Sequence, residues 1–240
     1  MRKISVIMPA HNEEERIALS VDNVQTALDA LGFDYEIVVV DDGSRDGTRA
    51  KALGAARNPR VKVVGYGPNL GKGYALRYGF AHTVGDLVAF LDSDGDISPR
   101  QIGAYVAATE DGDIVIASKW HPKSHTQTPI IRKFLSLGFN IIVGILTGLK
   151  LRDTQAGMKA FRREVLEKIL PRLSMKRFAF DVELLTVANQ EGFRIVEYPI
   201  DIKMDGPAKL GPLVKMLWSM FIEILGITYR LRLLKQYREE

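Results

Sequence analysis

Three aspartates follow a short apolar run in the segment FLDSDGD, residues 90–96. Asp92, Asp94 and Asp96 occupy alternate positions, and Asp92 and Asp94 are expected to point to the same side of an extended chain. Carboxylates this close repel one another, whereas Mg²⁺ commonly joins one or two carboxylates to the phosphates of a substrate. The spacing therefore predicts a Mg²⁺ or Mn²⁺ site that binds a phosphorylated ligand. A solvated Asp/Gly turn at the end of a strand is the alternative.

The elements that must position these aspartates alternate between strand and helix patterns through the first half of the chain. The predicted strands are 4–8, 36–40, 61–66, 87–91 and 113–117. The predicted helices are 14–31, 47–57, 72–83 and 99–109. This alternation indicates an α/β fold, with a mainly parallel sheet and helices on both of its faces.

The second half of the chain has fewer strand patterns and longer apolar segments. The predicted helices are 129–150, 163–171, 180–191 and 211–236, and the predicted strand is 193–200. One strand cannot form a sheet of its own, so we expect this half to join the sheet of the first half.

The composition excludes several kinds of protein. With 240 residues, of which 46% are hydrophobic and 26% charged, the chain is typical of a globular protein with a sizeable core. It contains no cysteine, which excludes disulfides, cysteine-ligated metals and a cysteine nucleophile. The net charge of +4 favours anionic partners. Nucleic acid is not expected among them, because the charge is modest and no basic–aromatic module is recognised.

Polar segments follow the first four predicted strands, where ligands of open α/β sheets bind. These segments are PAHNEEE, DDGSRDGT, PNLGKG and DSDGD. A G-x-G-x-x-G turn after the first strand is absent, and so is a G-x-x-x-x-G-K-[ST] loop. Their absence argues against a dinucleotide-binding protein and against a P-loop nucleotidase.

The order and spacing of four motifs carry a family resemblance. The motifs VIMPAHNEEERI, EIVVVDDGSRDGT, PNLGKGYALRYG and VAFLDSDGD resemble those of inverting GT-A glycosyltransferases of family 2. In the second half, RDTQAGMKAFRREVL, RFAFDVELL, VEYPI and DGPAKLG resemble the polyprenyl-phosphate sugar synthases, which include the dolichyl-phosphate mannose and glucose synthases. DTQAGMK and FAFDVELL are more similar to the glucose enzymes.

The resemblance implies a GT-A fold, that is, a Rossmann-like, mainly parallel sheet with helices on both faces, plus C-terminal amphipathic helices. It implies a catalytic domain over 1–210, in which 1–118 binds the nucleotide sugar and 119–210 binds the acceptor, followed by an amphipathic helix at 211–240. The implied reaction moves glucose or mannose from UDP-glucose or GDP-mannose to dolichyl or another polyprenyl phosphate, with Mg²⁺ or Mn²⁺. A family 2 enzyme with a polysaccharide or glycolipid acceptor and a non-catalytic membrane partner remain alternatives.

Individual residues take roles from the family motifs they match. The implied nucleotide-binding residues are Pro9, Asn12, Glu13, Asp41, Asp42, Lys72 and Asp92. The implied metal ligands are Asp92, Asp94 and Asp96. The implied acceptor-phosphate ligands are Lys119, Arg132, Ser136 and Lys209, and catalysis is assigned to Asp94, Lys119 and Arg132. Asp153, Gln155, Asp181 and Glu183 are expected near the sugar or in support of the metal loop, at least one of the last two being structural.

The chemistry of the acceptor decides which groups such a site needs. A lipid monophosphate has a second pKa near 6, so it is largely dianionic at pH 7 and already nucleophilic. The site therefore needs cations to bring two anions together rather than a strong general base. Two positions depart from the family pattern. Lys119 stands where arginine is more frequent, so it offers a point charge instead of a fork, and Asp96 stands where an amide is frequent.

Two apolar segments predict contact with a membrane surface. Residues 134–149 are 16 positions without a charge, which as a helix span about 24 Å, short of a hydrocarbon core of about 30 Å. Residues 213–238 are apolar with a basic end, typical of a helix lying on anionic headgroups. The N-terminus lacks the pattern of a signal peptide. We expect a peripheral, monotopic enzyme on the cytoplasmic face of a membrane. The alternatives are a buried helix and packing within a homo-oligomer or on a membrane partner subunit.

Overall fold

A seven-stranded sheet organises the chain in the computed structural model. The structure describes residues 2–127, 130–177, 179–203, 210–232, 234 and 237. Within these ranges it describes the backbone but not the side chains of residues 127, 130–135, 203 and 210–218. The strands are β1 (Ile4–Ala10), β2 (Tyr35–Asp42), β3 (Val61–Tyr66), β4 (Leu87–Leu91), β5 (Ile114–Ser118), β6 (His125–Gln127), β7 (Met158–Arg162), β8 (Ile195–Pro199) and β9 (Asp201–Lys203). The sheet order is β3-β2-β1-β4-β7-β5-β8, and β6 pairs with β9 in a separate ribbon. The predicted mainly parallel sheet is confirmed, with β7 antiparallel to both of its neighbours.

Helices cover both faces of the sheet, as predicted. They are α1 (Ile17–Leu31), α2 (Thr48–Ala55), α3 (Lys72–Phe80), α4 (Ile102–Ala108), α5 (Ile130–Thr147), α6 (Arg163–Ile169), α7 (Phe180–Gln190) and α8 (Leu210–Arg232), with 3₁₀ turns at Pro99–Gln101 and Leu170–Arg172. The helix predicted from residue 14 begins later, at Ile17. Asn12 adopts a left-handed conformation with φ of 56°, and residues 13–16 form a turn before the helix.

The alternation of side chains along each strand divides the core into two layers. Val6, Met8 and Val39 pack with residues of α1, α2 and α4 on one face. Ile7 and Val38 pack with residues of α3 and of α5 to α8 on the other face. Because both faces are covered, the central strands read as continuous apolar runs rather than as alternating ones.

Strand β7 was not predicted, because Lys159 and Arg162 interrupt its apolar pattern. Lys159 lies in the middle of the sheet, opposite Phe90 and Ile116, where it is 2% exposed. Its burial depends on an ion pair with Asp181 from the next element but one, which the local sequence does not reveal. The position of β7 between β4 and β5 also means that the predicted halves 1–118 and 119–210 share one sheet.

Candidate active site

The candidate active site lies where the strand order reverses. From β1 the chain moves outward to β2 and β3, and then α3 returns it to β4 on the other side of β1. Open α/β sheets bind ligands in the crevice at this point. A cleft of about 420 Å³ lies there. It is lined by five of the predicted nucleotide-binding residues, namely Pro9, Glu13, Asp42, Lys72 and Asp92.

The aspartate loop separates this cleft from a larger one. Asp92 and Asp94 line the smaller cleft, so their predicted common orientation is confirmed. Asp96 lines a cleft of about 1210 Å³ between α1 and the β6–β9 ribbon, together with His125 and Asp201. We place the chemistry in the smaller cleft, because the polar ends of β1, β2 and β4 meet there. Within the described ranges, no three side chains of metal-binding type form a ready cluster.

Asn12 and Asp41 shape the cleft without lining it. The Asn12 side-chain oxygen accepts the Arg45 N–H at 3.0 Å, and the Asn12 N–H donates to the Ser44 hydroxyl at 3.0 Å. The Asp41 carboxylate accepts the Ser44 N–H at 3.0 Å. These bonds join the loops that follow β1 and β2. Both residues therefore position the binding loops, and their direct contact with the nucleotide stays a prediction.

The Asp42 carboxylate holds the loop that begins α3. It accepts the Leu70 N–H at 2.8 Å and the Gly71 N–H at 2.9 Å. Gly71 has φ of 97°, and a Cβ there would lie 2.6 Å from the Lys176 carbonyl oxygen. Only glycine fits this position, since a side chain would meet backbone and would strain the left-handed conformation. The NLGKG motif is thus a fixed wall of the cleft.

The ammonium group of Lys72 forms an ion pair with Asp92, the first aspartate of the loop. Its Nζ lies 2.5 Å from Asp92 Oδ1. Burial disfavours the charged ammonium, but the Asp92 and Asp181 carboxylates outweigh burial and raise the pKa of Lys72. Gly157 lets the loop before β7 pass beside Asp92, because a Cβ there would overlap the Asp92 carboxylate. Asp92 is therefore enclosed by α3 and by the loop that leads into β7.

Asp94 carries negative charge that the protein compensates only weakly. Burial and the neighbouring Asp92 raise the pKa of Asp94. Burial and then Asp94 raise the pKa of Glu13 on the facing loop. One Asp94 carboxylate oxygen accepts the Asp96 N–H at 3.0 Å, and Arg16 donates to the Asp94 carbonyl oxygen at 3.3 Å. Gathered carboxylates with raised pKa values fit a hard divalent cation, and Asp94 is the residue best placed to hold it.

Lys119 reaches the same edge of the sheet from β5. Strands β4 and β5 both run antiparallel to β7, so they are parallel to each other and end at one edge. The Lys119 Nζ lies 3.3 Å from Asp153 Oδ2, which also accepts the Lys119 N–H at 3.1 Å. Asp153 thus positions Lys119. Ser136 is partly buried on α5, whereas the Arg132 side chain and Lys209 lie outside the described residues.

The two acids of α7 have different roles. The Asp181 carboxylate lies 3.0 Å from the buried Lys159 Nζ. Glu183 is 0% exposed and accepts hydrogen bonds from the Ser174 and Met175 N–H groups at 2.9 and 2.7 Å. It also accepts the Tyr237 hydroxyl, and burial together with Glu183 raises the pKa of Tyr237 to about 12. Glu183 is structural, as was expected of at least one of the pair, because it fixes the loop before α7.

Comparison with known proteins assigns the family. The family model Glycosyl transferase family 2 matches residues 5–170. The chain belongs to glycosyltransferase family 2. This family 2 glycosyltransferase is 33% identical over 229 residues to dolichyl-phosphate beta-glucosyltransferase ALG5A of Trichomonas vaginalis, with 89% of this chain and 70% of that protein covered. It is 32% identical over 228 residues to the dolichyl-phosphate beta-glucosyltransferase of Homo sapiens, with 88% and 70% covered.

Solved structures confirm the GT-A fold that the motifs predicted. Glucosyl-3-phosphoglycerate synthase from Mycobacterium tuberculosis, in complex with Mn²⁺, UDP and glucosyl-3-phosphoglycerate, matches with a TM-score of 0.73 and 23% identity. The match covers 95% of this chain and 80% of that one. At this identity the likeness concerns the fold alone.

Sequence reasoning missed His11, Asn69 and Arg177, which also line the smaller cleft. His11 and Asn69 lie inside quoted motifs, so their position after a strand could have suggested them. Arg177 precedes α7 and follows Asp94, the nearest of the other lining residues in the sequence, by 83 residues. Arg177 is the first residue of the quoted motif RFAFDVELL, but the motif does not place it at the cleft, because the packing of α7 beside α3 brings it there.

Proposed function

We propose that this family 2 glycosyltransferase transfers glucose from UDP-glucose to dolichyl or another polyprenyl phosphate with the help of Mg²⁺ or Mn²⁺. The observation that carries the proposal is the pair Asp92 and Asp94 lining a cleft at the strand switch point, with Lys119 on the same edge of the sheet. The two relatives described above are named as glucosyltransferases, which favours glucose over mannose.

The proposed reaction is a displacement at the anomeric carbon of glucose. An oxygen of the lipid phosphate forms a bond to C1, the bond between C1 and the diphosphate oxygen breaks, and its electron pair leaves with UDP. Lys119 binds the incoming phosphate, and Asp153 keeps its ammonium in place. No proton has to be removed from the acceptor, because a phosphate dianion is already nucleophilic at pH 7.

Asp94 would hold the divalent cation, and Asp92 could join it if Lys72 moved aside. The bound cation supplies positive charge that stabilises the departing diphosphate. The ion pair with Lys72 orients Asp92 in the cleft. The enzyme's own residues therefore prepare the site for a metal-bound diphosphate before any ligand enters.

The proposal is tested by product formation from a panel of donors and acceptors. UDP-glucose and GDP-mannose are each offered with Mn²⁺ to dolichyl phosphate, dolichol and glycerol 3-phosphate. We expect glucosyl phosphoryl dolichol from UDP-glucose and dolichyl phosphate, and none after chelation of the metal. Product with mannose would change the sugar, product with glycerol 3-phosphate would replace the lipid acceptor, and transfer to dolichol would contradict the phosphate nucleophile.

An exposed apolar face supports the lipid acceptor and a peripheral membrane location. Helices α5 and α8 pack together, and their outward side chains include Leu137, Ile141, Ile142, Ile145, Ile222, Leu225 and Tyr229, all at least 39% exposed. An apolar groove of about 510 Å³ begins at Trp120, next to Lys119, and runs along Leu137 and Ile141. An apolar patch of this kind marks an interaction surface. Within the described part of the chain, no helix has the length and apolar character that crossing a bilayer requires.

Replacing Ile141 with aspartate should weaken binding to vesicles that contain anionic lipid by about tenfold. Burying a side chain of this size in lipid contributes about 1.5–3 kcal/mol, and each 1.4 kcal/mol is a factor of about ten. The matched control is Leu53→Asp on α2, since Leu53 and Ile141 are both 54% exposed. Co-sedimentation with vesicles measures both variants. Equal binding by the two variants, or a native protein that does not sediment, would show that this face does not contact lipid.

A further inference from the structure

Among the described residues that line the smaller cleft, Arg177 is a cationic side chain without an acidic partner. Four carboxylates line the cleft, at Glu13, Asp42, Asp92 and Asp94. The lining cations Lys72 and Arg177 differ, because Lys72 is engaged by Asp92 at 2.5 Å. Across the residues that the structure describes, Arg177 forms no ion pair. An arginine facing four carboxylates in a cleft, but bound to none, is available to an anionic ligand.

Arg177 enters the cleft across the wall that the NLGKG motif forms. A Cβ at Gly71 would lie 2.8 Å from Arg177 Cγ, so the arginine stem passes directly over this glycine. Gly71 is the residue before Lys72, and its N–H is bound by Asp42. Glycine at this position therefore creates the space that the arginine occupies, in addition to allowing the left-handed turn.

The backbone that carries Arg177 is held firmly. The Tyr74 N–H of α3 donates to the Lys176 carbonyl oxygen at 3.1 Å. Glu183 accepts the Ser174 N–H at 2.9 Å and the Ser174 hydroxyl at 2.8 Å. The buried Glu183 thus positions Arg177 indirectly, because it anchors the loop on which Arg177 lies. A preorganised cation loses less entropy when it binds its ligand than a mobile one does.

We infer that Arg177 binds the diphosphate of the nucleotide-sugar donor, an inference that rests on the proposed function. A nucleoside diphosphate leaves with about three negative charges at neutral pH, and one divalent cation neutralises two of them. The guanidinium fork matches two phosphate oxygens at once, which a lysine cannot do. As the bond from C1 to the diphosphate oxygen breaks, its electron pair adds charge to the oxygen that Arg177 and the cation stabilise.

The experiment titrates UDP, GDP and uridine into the native protein and its variants by calorimetry, with Mn²⁺ present and no sugar or acceptor. We expect Arg177→Gln to raise the Kd for UDP at least tenfold and to leave uridine binding at millimolar concentration unchanged. Arg177→Lys should recover part of the loss. The matched control is Lys176→Gln, because Lys176 is exposed on the same loop and does not line the cleft. With UDP-glucose, kcat of Arg177→Gln should fall by about 10²-fold.

Several outcomes would overturn the inference. Unchanged UDP affinity in Arg177→Gln would place the arginine in solvent, and equal losses for UDP and uridine would mean that the substitution distorts the cleft. A native protein that binds neither diphosphate would refute it as well. Arg177-dependent UDP binding without transfer to dolichyl phosphate would instead refute only the proposed acceptor, so the two failures are distinguishable.

Discussion

Replacement of Asp94 with asparagine should reduce glucosyl transfer by about 10³-fold while the protein remains folded. The variant loses the carboxylate best placed to hold the divalent cation, and a bound metal supplies several kcal/mol of charge stabilisation in such reactions, at 1.36 kcal/mol for each tenfold change in rate. Initial rates with UDP-glucose and dolichyl phosphate, measured across a Mn²⁺ series, test this expectation. Normal turnover by Asp94→Asn would remove Asp94 from the metal site.

The same substitution should stabilise the metal-free protein. The pKa of Asp94 is raised by burial and by Asp92, so its ionised form is less stable in the folded chain than in the unfolded chain. By linkage, the wild type loses stability from this group as the pH rises from the ordinary aspartate range through the raised pKa, and the loss persists at pH 7. Asparagine carries no charge, so the Asp94→Asn variant should have a higher thermal midpoint than the wild type at pH 7. The expected increase is about 2–4 °C for each kcal/mol of folding stability regained.

The pH dependence of metal binding separates this account from a simple structural effect. Protons compete with Mn²⁺ for Asp94, so affinity should decline on acidification at a higher pH than an ordinary aspartate would give. Stabilisation by Mn²⁺ with UDP should accordingly shrink as the pH falls from 7. An Asp94→Asn variant that still gains stability from Mn²⁺ with UDP would contradict the assignment.

Replacement of Lys159 with methionine should destabilise the fold by about 3–5 kcal/mol, because it leaves the Asp181 carboxylate buried without its partner. For a chain of this size the thermal midpoint should fall by roughly 6–20 °C. Denaturant unfolding measures the free energy directly. The matched control is Arg2→Met at the exposed Arg2–Glu110 pair, which should change the free energy of unfolding by less than about 1 kcal/mol.

The double variant Lys159→Met with Asp181→Leu distinguishes stability from function. Replacing both members of a buried ion pair by apolar groups is often neutral or stabilising. Activity should nevertheless be lower than in the wild type, because the cleft loses the negative charge of Asp181 that acts on Lys72 together with Asp92. If Lys159→Met alone is as stable as Arg2→Met, the Lys159–Asp181 pair does not stabilise the fold as proposed. Full activity in the double variant would show that Asp181 does not influence the cleft.

The layout of the fold, and the edge of the sheet at which the candidate active site lies, could be predicted from the sequence alone. Buried parallel strands must be continuous apolar runs, and their polar carboxyl ends must meet at one edge, so both features can be read without contacts. The motif order then identified the family correctly. Strand β7 was not predicted because a lysine lies near its centre. This lysine can be buried only because it pairs with Asp181, which is distant in the sequence.

The tertiary structure decided which charges share the site. Alternate spacing predicts one common side for Asp92 and Asp94, and the family resemblance adds Asp96 to the metal ligands. Gly95 turns the chain with φ of 79°, and Asp96 lines the larger cleft whereas Asp94 lines the smaller one. Alternation holds only while the backbone is extended, so it cannot place a residue beyond a turn. The ion pair between Lys72 and Asp92 joins α3 to the loop after β4, and Arg177 reaches the cleft because α7 packs beside α3. Such contacts between distant segments leave no periodic trace in the chain, whereas strands, helices and their polar ends do.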